Sequence, residues 1–518
     1  MLSREQAIKQ LFLPGSSRPD MADKPALVQV DQTGERSITF GELEQLISLA
    51  RVKIAELGVA KGDRVALSSE NSPEMVASLI ACWSMGVCAV PVDLRLTGQE
   101  LANVLKQLQA KALLGSSRIV HNFEQTMSAI VGSAKLFDLV SMKPEDAKEA
   151  AKVDVSEIDF DSPSFVILTS GTTGIPKGAV HSVGTLITNL LELGEMSGID
   201  NTMRGVLPLP LSHIFGLEVC MVAFICGSMV VLSELNASSF VQCVAKFKPH
   251  IVAGVPTLYG ALMQAPKESV DLSNAVLLLS GGAPLPTSMA ADFERKFGKR
   301  LNNGYGSTES KIVALNQTGP LDCVGNIVPS VKIEIVNEKD EVLPMGETGE
   351  VRIAGPILMM GYIGQDEASK KVLHDGHYHT GDMGHFKDGN LYIVGRTKEM
   401  IIVAGYKVFP VEVEDALIKH PAVKEAAVFG QPHSKLGQIV KAVIVVKEGE
   451  LSDKLASEGE AHKEARHTLI ASLKEFCNEH LRRELRPMEW DFRPADKPLP
   501  KTLAGKIDKK KLETAAVS

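Results

Sequence analysis

No C-x-x-C pair occurs among the seven cysteines, which are scattered over 518 residues. That spacing argues against a structural zinc site and a disulfide framework, and fits a reducing compartment such as the cytoplasm. The chain also lacks a long basic run, and its formal net charge is −8. Nucleic acid is therefore not an expected partner. Met1 to Gln6 are polar and charged, without the layout of a secretory signal. No internal repeat or low-complexity tract is present. The run 75–92 carries no charge and is long enough to span a bilayer, but it contains Ser78, Ser84, Gly86 and Pro91. It reads better as a buried helix, a break at Gly86 and a buried strand, and residues 219–232 have the same character. No membrane span is expected.

What is present is the composition of an ordinary globular enzyme, 44% hydrophobic and 23% charged, in a chain too long for one ordinary domain. Apolar runs at 64–67, 88–91, 165–168, 229–232 and 275–279 alternate with helical patterns such as 40–57 and 239–248. The alternation predicts an α/β protein: a large N-terminal domain of mixed and parallel sheets flanked by helices. From about Gly325 the pattern changes to short β runs with turns, which predicts a β-rich subdomain. A boundary near 395–399 divides the chain into residues 1–396 and 397–518, the second reading as a small α+β domain. Residues 448–464 are charged and read as an exposed excursion.

The apolar run 165–168 leads directly into Thr169, Ser170, Gly171, Thr172, Thr173 and Gly174, with Lys177 and Gly178 close behind. Glycines let the backbone approach a ligand and turn N–H groups inward; hydroxyls and Lys177 add donors and a cation. That chemistry suits a loop holding polyphosphate. It is not a Walker A loop, because Pro176 precedes Lys177 and Gly178 follows it. In the stretch Asn303, Gly304, Tyr305, Gly306, Ser307, Thr308 and Glu309, an aromatic between glycines can lie against a purine. Thr308 offers a hydroxyl to phosphate and Glu309 a hard oxygen for Mg²⁺; the alternative is a turn with a helix N-cap. Gly281, Gly282, Ala283 and Pro284 follow the run 275–279, where parallel strands seat ligands, or else form a plain tight turn. Asp382 can accept two hydrogen bonds from a diol, or belong to a polar turn. His374, Asp375, His377 and His379 read as a solvated loop rather than a metal site. His213 is a lone histidine in an apolar segment, and 500–506 is by composition a basic tail.

Together these motifs resemble the adenylate-forming superfamily of acyl-CoA synthetases, peptide-synthetase adenylation domains and luciferases. The resemblance runs in the family's order from about residue 38 to Lys506 and is closest to carboxylic acid:CoA ligases. It implies that ATP and a fatty or aryl acid give an acyl-adenylate and pyrophosphate, and that CoA then gives thioester and AMP. It implies Thr169 to Gly174 and Lys177 at the phosphates and Asn303, Gly304 and Gly306 around the nucleotide. Tyr305 would contact adenine, Thr308 the α-phosphate, Glu309 Mg²⁺ and Asp382 ribose, with Arg396 near ribose or phosphate. Gly282, Ala283 and Pro284 would wall the adenine side, with Ile214, Gly254, Gly281 and Gly304 in the acid pocket and His213 gating the carboxylate. Lys506 would be the catalytic lysine, stabilising charge that collects on phosphorus and pyrophosphate. The small domain would be mobile about Lys398, with Gly405, Tyr406 and Lys407 lining the CoA tunnel. Ile214, near the place where amino-acid-activating members hold an aspartate, points away from amino-acid substrates. The nearest rival loads a separate phosphopantetheinyl acyl-carrier protein. Luciferase-like oxidation and a non-catalytic nucleotide-binding regulator are more distant. A second copy of the chain is a further candidate partner.

Overall fold

The computed structural model describes residues 2–121, 135–147, 153–169, 177–501 and 507–515. Among these residues a seven-stranded sheet runs in the order Gly361–Tyr362, Lys177–Ser182, Pro163–Thr169, Cys88–Pro91, Arg64–Ser68, Ala112–Gly115 and Lys135–Asp138. It is parallel from Pro163–Thr169 onward and antiparallel at the Gly361 edge. A nine-stranded sheet runs Asn326–Ile327, Lys311–Asn316, Asn302–Ser307, Leu277–Ser280, Ile251–Gly254, Arg204–Leu207, Met229–Ser233, Pro25–Asp31 and Gly34–Thr39. Its middle is parallel and its two ends antiparallel.

Both sheets are buried on both faces. Successive strand residues point to opposite sides. Phe165 and Ile167 accordingly join one core and Val166 another, and Val65 and Leu67 divide from Ala66 in the same way. In the other sheet Leu207, Val230 and Ile251 face that same large core, while Val206, Val231 and Val252 face a third. Two-sided burial is why these strands read as unbroken apolar runs. Helices Pro73–Ser84 and Ile214–Ile225 join the shared core, buried almost all round. The charge-free run 75–92 thus divides into helix Pro73–Ser84 and strand Cys88–Pro91, turned by Gly86 at φ +64°. Among the described residues no helix is long and apolar enough to cross a membrane. All seven cysteines are unpaired.

Two smaller sheets follow. An antiparallel sheet joins Lys332–Val336, Gly349–Ala354, His377–Lys387, Leu373–His374 and Asn390–Arg396. The last sheet joins Tyr406–Val408, Ile401–Val403, Gly437–Val446, Val423–His433 and Glu489–Arg493. Two expectations shift. The strand expected at 275–279 begins at Leu277, because Ala275 still closes a turn on Leu272 and Val276 is exposed. The excursion at 448–464 is helical, in Glu450–Ala456 and the start of Glu460–His480, with Leu455 and Ala465 turned inward and the charges facing solvent.

The hydrophobic clusters built from residues 401–512 share no member with those built from earlier residues. Leu473, fully buried in the later clusters, tests how much that separate core contributes. Leu473→Ala should cost about 2–5 kcal/mol in urea unfolding, the range for a large-to-small change in a packed core.

Candidate active site

The carboxyl ends of neighbouring parallel strands bring three of the expected pocket glycines together. Ser280 pairs with Gly254 on one side and Asn303 on the other, so Gly254, Gly281 and Gly304 lie along one edge. The Gly281 N–H donates to the Gly254 carbonyl at 3.2 Å. Phe215 packs on Gly281 so closely that a Cβ there would stand 2.9 Å from its ring. Gly282 turns the chain at φ +76°, and the half-buried Ala283 and exposed Pro284 follow. Phe215 and the buried Ile214 open helix Ile214–Ile225, with His213 at its N-cap. His213 Nε2 lies 3.5 Å from Asp93 Oδ2. Asp93 is partly buried, yet hydrogen bonds from Arg95, with the His213 ring nearby, hold its carboxyl well below the usual range.

Asn303 to Glu309 form no helix N-cap. They belong to a β-hairpin between Asn302–Ser307 and Lys311–Asn316, whose register slips between Tyr305 and Gly306. A Cβ on Gly306 would lie 2.1 Å from the Lys311 carbonyl oxygen, so the crossing requires glycine. Thr308 and Glu309 stand at the tip. Their backbone is anchored on every side: His181 Nε2 to the Thr308 carbonyl at 2.8 Å, and the Met359 N–H to the Glu309 carbonyl at 2.8 Å. Ser307 and Ser310 each give a backbone N–H to the other's hydroxyl, at 3.2 and 3.1 Å. The Tyr362 hydroxyl donates to Glu309 Oε1 at 2.7 Å, and Lys177 Nζ sits 4.8 Å from the Tyr362 ring centroid. Burial and the Glu309 charge push the Tyr362 phenol up. Lys177 is paired in register with Thr169, so both flank this corner.

Tyr305 reaches the other side of the hairpin. Its hydroxyl donates to Asp382 Oδ2 at 2.8 Å, and Arg396 Nε donates to Asp382 Oδ1 at 2.7 Å. Asp382 is 5% exposed. Burial and the Asp382 charge raise the Tyr305 phenol well above its ordinary value. For Arg396 burial acts in the opposite direction, but Asp382 outweighs it and the guanidinium is raised. Each carboxylate oxygen keeps a second lone pair.

Two family models match this chain: AMP-binding enzyme over residues 17–363, and AMP-binding enzyme C-terminal domain over residues 412–506. The chain belongs to the AMP-binding enzyme family. It is 32% identical over 429 residues to a feruloyl-CoA synthase from Amycolatopsis sp, covering 81% of this chain and 86% of that protein. A long-chain-fatty-acid–CoA ligase of Salmonella typhimurium is 29% identical over an alignment of 566 residues, which covers 99% of this chain and 95% of that one. The solved structure of an anthranilate CoA ligase in complex with anthranoyl-AMP is similar with a TM-score of 0.86, at 25% identity and 99% coverage of both chains.

Of the expected site residues, Ser170, Gly171, Thr172, Thr173, Gly174 and Lys506 lie outside the described residues. Gly405, Tyr406 and Lys407 lie on the hairpin of Ile401–Val403 and Tyr406–Val408. Ala404 and Gly405 turn it at φ +49° and +89°, the doubly left-handed pattern of a tight hairpin. Lys407 Nζ is 3.3 Å from Glu338 Oε1. Lys398 is exposed on the turn Thr397–Glu399. His374 and His379 gather with Asp340, their ligand atoms within 4.8 Å of one another. The two rings are stacked at 4.0 Å, and lone pairs in two parallel planes do not meet at one ion. Arg352 moreover already holds Asp340.

Sequence reasoning missed Asp93, Phe215, Tyr362, His181 and Lys311, each of which matters through a distant partner. Lys311 had one local signal, a lysine directly after a motif in an otherwise apolar run. It is fully buried and holds φ +62°, a conformation that costs a non-glycine residue about 1–3 kcal/mol unless its surroundings impose it. Gly306→Ala places a methyl group against that residue's carbonyl. It should lower stability by about 1–3 kcal/mol in urea unfolding, as overpacking does.

Proposed function

We propose that this site activates a fatty or aryl carboxylic acid with ATP and passes the acyl group to CoA. The observation that carries the reading is that a single strand serves both ends of the reaction. Asn302–Ser307 contributes Gly304 to the edge under Phe215 and then leads to Thr308 and Glu309, beside Lys177 and Tyr362. Family membership and likeness to CoA ligases acting on feruloyl, long-chain fatty and anthranoyl groups support it.

The acid's carboxylate attacks the α-phosphorus of ATP and pyrophosphate leaves. The CoA thiol, losing its proton, then attacks the acyl carbon and AMP leaves. Adenylation replaces a poor leaving group with a good one, dividing one hard step into two easier ones. Thr169 to Gly174 and Lys177 hold the polyphosphate, and Thr308 meets the α-phosphate. Glu309, a hard carboxylate steadied by Tyr362, is the residue to hold Mg²⁺, which supplies positive charge against the phosphates. Tyr305 lies along adenine, with Asn303, Gly306, Gly282, Ala283 and Pro284 around it. Asp382 accepts the ribose hydroxyls on its remaining lone pairs, next to Arg396. His213, oriented by Asp93, faces the acid's carboxylate, and Ile214, Gly254, Gly281 and Gly304 line its chain. Lys506 stabilises the charge that develops on phosphorus and pyrophosphate.

Residues 1–396 and 397–518 form the two working units, with Lys398 as hinge, a division supported by their unshared hydrophobic clusters. Gly405, Tyr406 and Lys407 then face CoA. The unpaired cysteines support a reducing compartment such as the cytoplasm.

Substrate class is tested by AMP release over a panel of acids with and without CoA. Alkyl and aryl acids should turn over and free amino acids should not, since an ammonium beside Ile214 and Phe215 would be buried without a partner. The product should be free acyl-CoA. Dependence on a phosphopantetheinylated carrier, or efficient use of an amino acid, overturns the reading.

The two half-reactions should separate by mutation. Lys506→Ala should abolish ATP–pyrophosphate exchange while sparing thioester formation from supplied acyl-adenylate. Gly405→Leu should do the reverse. Nothing lies within 4 Å of a Cβ at Gly405, so its left-handed φ is the only local obstacle. Gly405→Asn, which tolerates that φ, controls for turn strain. Damage to the same half-reaction by Lys506→Ala and Gly405→Leu rules out the two-face mechanism.

A further inference from the structure

Behind the Thr308–Glu309 tip lies a buried polar cluster that the reaction does not use directly. Lys311 Nζ is 2.9 Å from His181 Nδ1 and 3.1 Å from Thr185 Oγ1, and also contacts the Ile357 carbonyl. A carbonyl only accepts. Thr185 already donates its hydroxyl hydrogen to the Ser182 carbonyl at 2.9 Å, so it too must accept from Lys311. The Thr308 carbonyl at His181 Nε2 forces the proton of that ring onto Nε2, leaving Nδ1 as a third acceptor. Three acceptors require three hydrogens, and the ammonium form of Lys311 supplies them. Burial and then the Lys311 charge hold His181 well below its ordinary value, and so neutral.

The adjoining peptide is held in the same manner. The Ile312 N–H donates to Glu218 Oε2 at 3.1 Å, and its carbonyl accepts from Asn189 Nδ2 at 3.0 Å. Glu218 is the sole charged residue of helix Ile214–Ile225 and is wholly buried. Polar groups in such a place are costly unless bonded, and each of these bonds fixes backbone next to the tip.

We propose that Lys311 and His181 are positioning residues for adenylate formation. Lys311 bonds the ring nitrogen that is left without a proton, and His181 holds the Thr308 carbonyl, so that the Thr308 hydroxyl and Glu309 carboxylate are fixed before ATP arrives. The inference rests on the roles proposed above for Thr308 and Glu309. It predicts that the cluster matters to one half-reaction only, because preorganised groups act where charge develops.

The test measures ATP–pyrophosphate exchange, thioester formation from supplied acyl-adenylate, and thermal unfolding for His181→Phe, His181→Gln, Lys311→Met and Thr308→Ala. His181→Phe removes the donor to Thr308 and should lower exchange about tenfold or more, as small misplacements of catalytic groups do. Thioester formation should stay within about twofold, so the loss belongs to one step. His181→Gln, whose amide can donate to the same carbonyl, should restore most of the exchange. The double variant His181→Phe/Lys311→Met should be little worse than the poorer single one, because the residues act in series. Equal loss in both half-reactions, tracking the fall in melting temperature, overturns the proposal in favour of a purely structural cluster. Unchanged exchange in folded His181→Phe also overturns it. Unchanged exchange in Thr308→Ala instead overturns the role proposed for Thr308. Impaired Thr308→Ala beside normal His181→Phe sinks the positioning inference alone.

Discussion

Because both large sheets carry apolar side chains on both faces, hydrogen-bonding chemistry is displaced to the ends of their strands. Burying an unbonded polar group costs more than most single contacts return, so a reactive side chain inside a strand here, such as His181, needs bonded partners. The carboxyl ends are open, since each strand stops there and its chain turns away. Gly254, Gly281, Gly304 and the Thr308–Glu309 tip all lie at such ends. The location of the site thus follows from how the sheets are buried, before any particular side chain is considered.

The same constraint bears on the polar cluster behind the tip, which is held by specific hydrogen bonds. A lone buried ammonium would be driven to lose its proton. Lys311 instead meets three acceptors, and the carboxyl of Glu218, itself pushed up to about 8 by burial, bonds a backbone N–H. These groups add little net stability, because their desolvation largely offsets their attraction. What they confer is a single geometry, visible in the left-handed backbone of Lys311 and in the close crossing of Gly306 over its carbonyl. A hairpin tip free to fray could not present a hydroxyl and a carboxylate at fixed spacing.

Strands were legible in the sequence because two-sided burial writes itself as unbroken apolar runs, and Arg64–Ser68, Cys88–Pro91 and Met229–Ser233 fall where those runs stand. Glycine-rich motifs were legible because turns and close approaches leave few other choices, as the crossing at Gly306 illustrates. What could not be read is long-range pairing. Tyr362 lies 53 positions from Glu309, and His181 lies 130 from Lys311. Neither neighbourhood marks its partner. Phe215 looked like one more residue of an apolar segment until the fold laid it on Gly281. The charged stretch 448–464 is mostly exposed, as its composition implies, but its helices went unread. Leu455 within it and Ala465 just beyond it turn inward, while the opposite helix faces meet water.

The junction near residue 400 follows from unequal energies. Within the later unit, Leu473, Val443 and Trp490 are wholly or nearly buried, and opening that packing would cost several kcal/mol. Between the units, Phe409 lies against Gly395, and Lys407 meets an exposed Glu338. An exposed ion pair of that kind contributes about 0–1 kcal/mol. Asp382, by contrast, is held by Tyr305 and Arg396, both on the earlier side of that junction. The Asp382 carboxylate therefore draws both of these hydrogen-bond partners from the earlier unit. The hairpin carrying Gly405 instead belongs to the later unit, where Val403 pairs with Gly437.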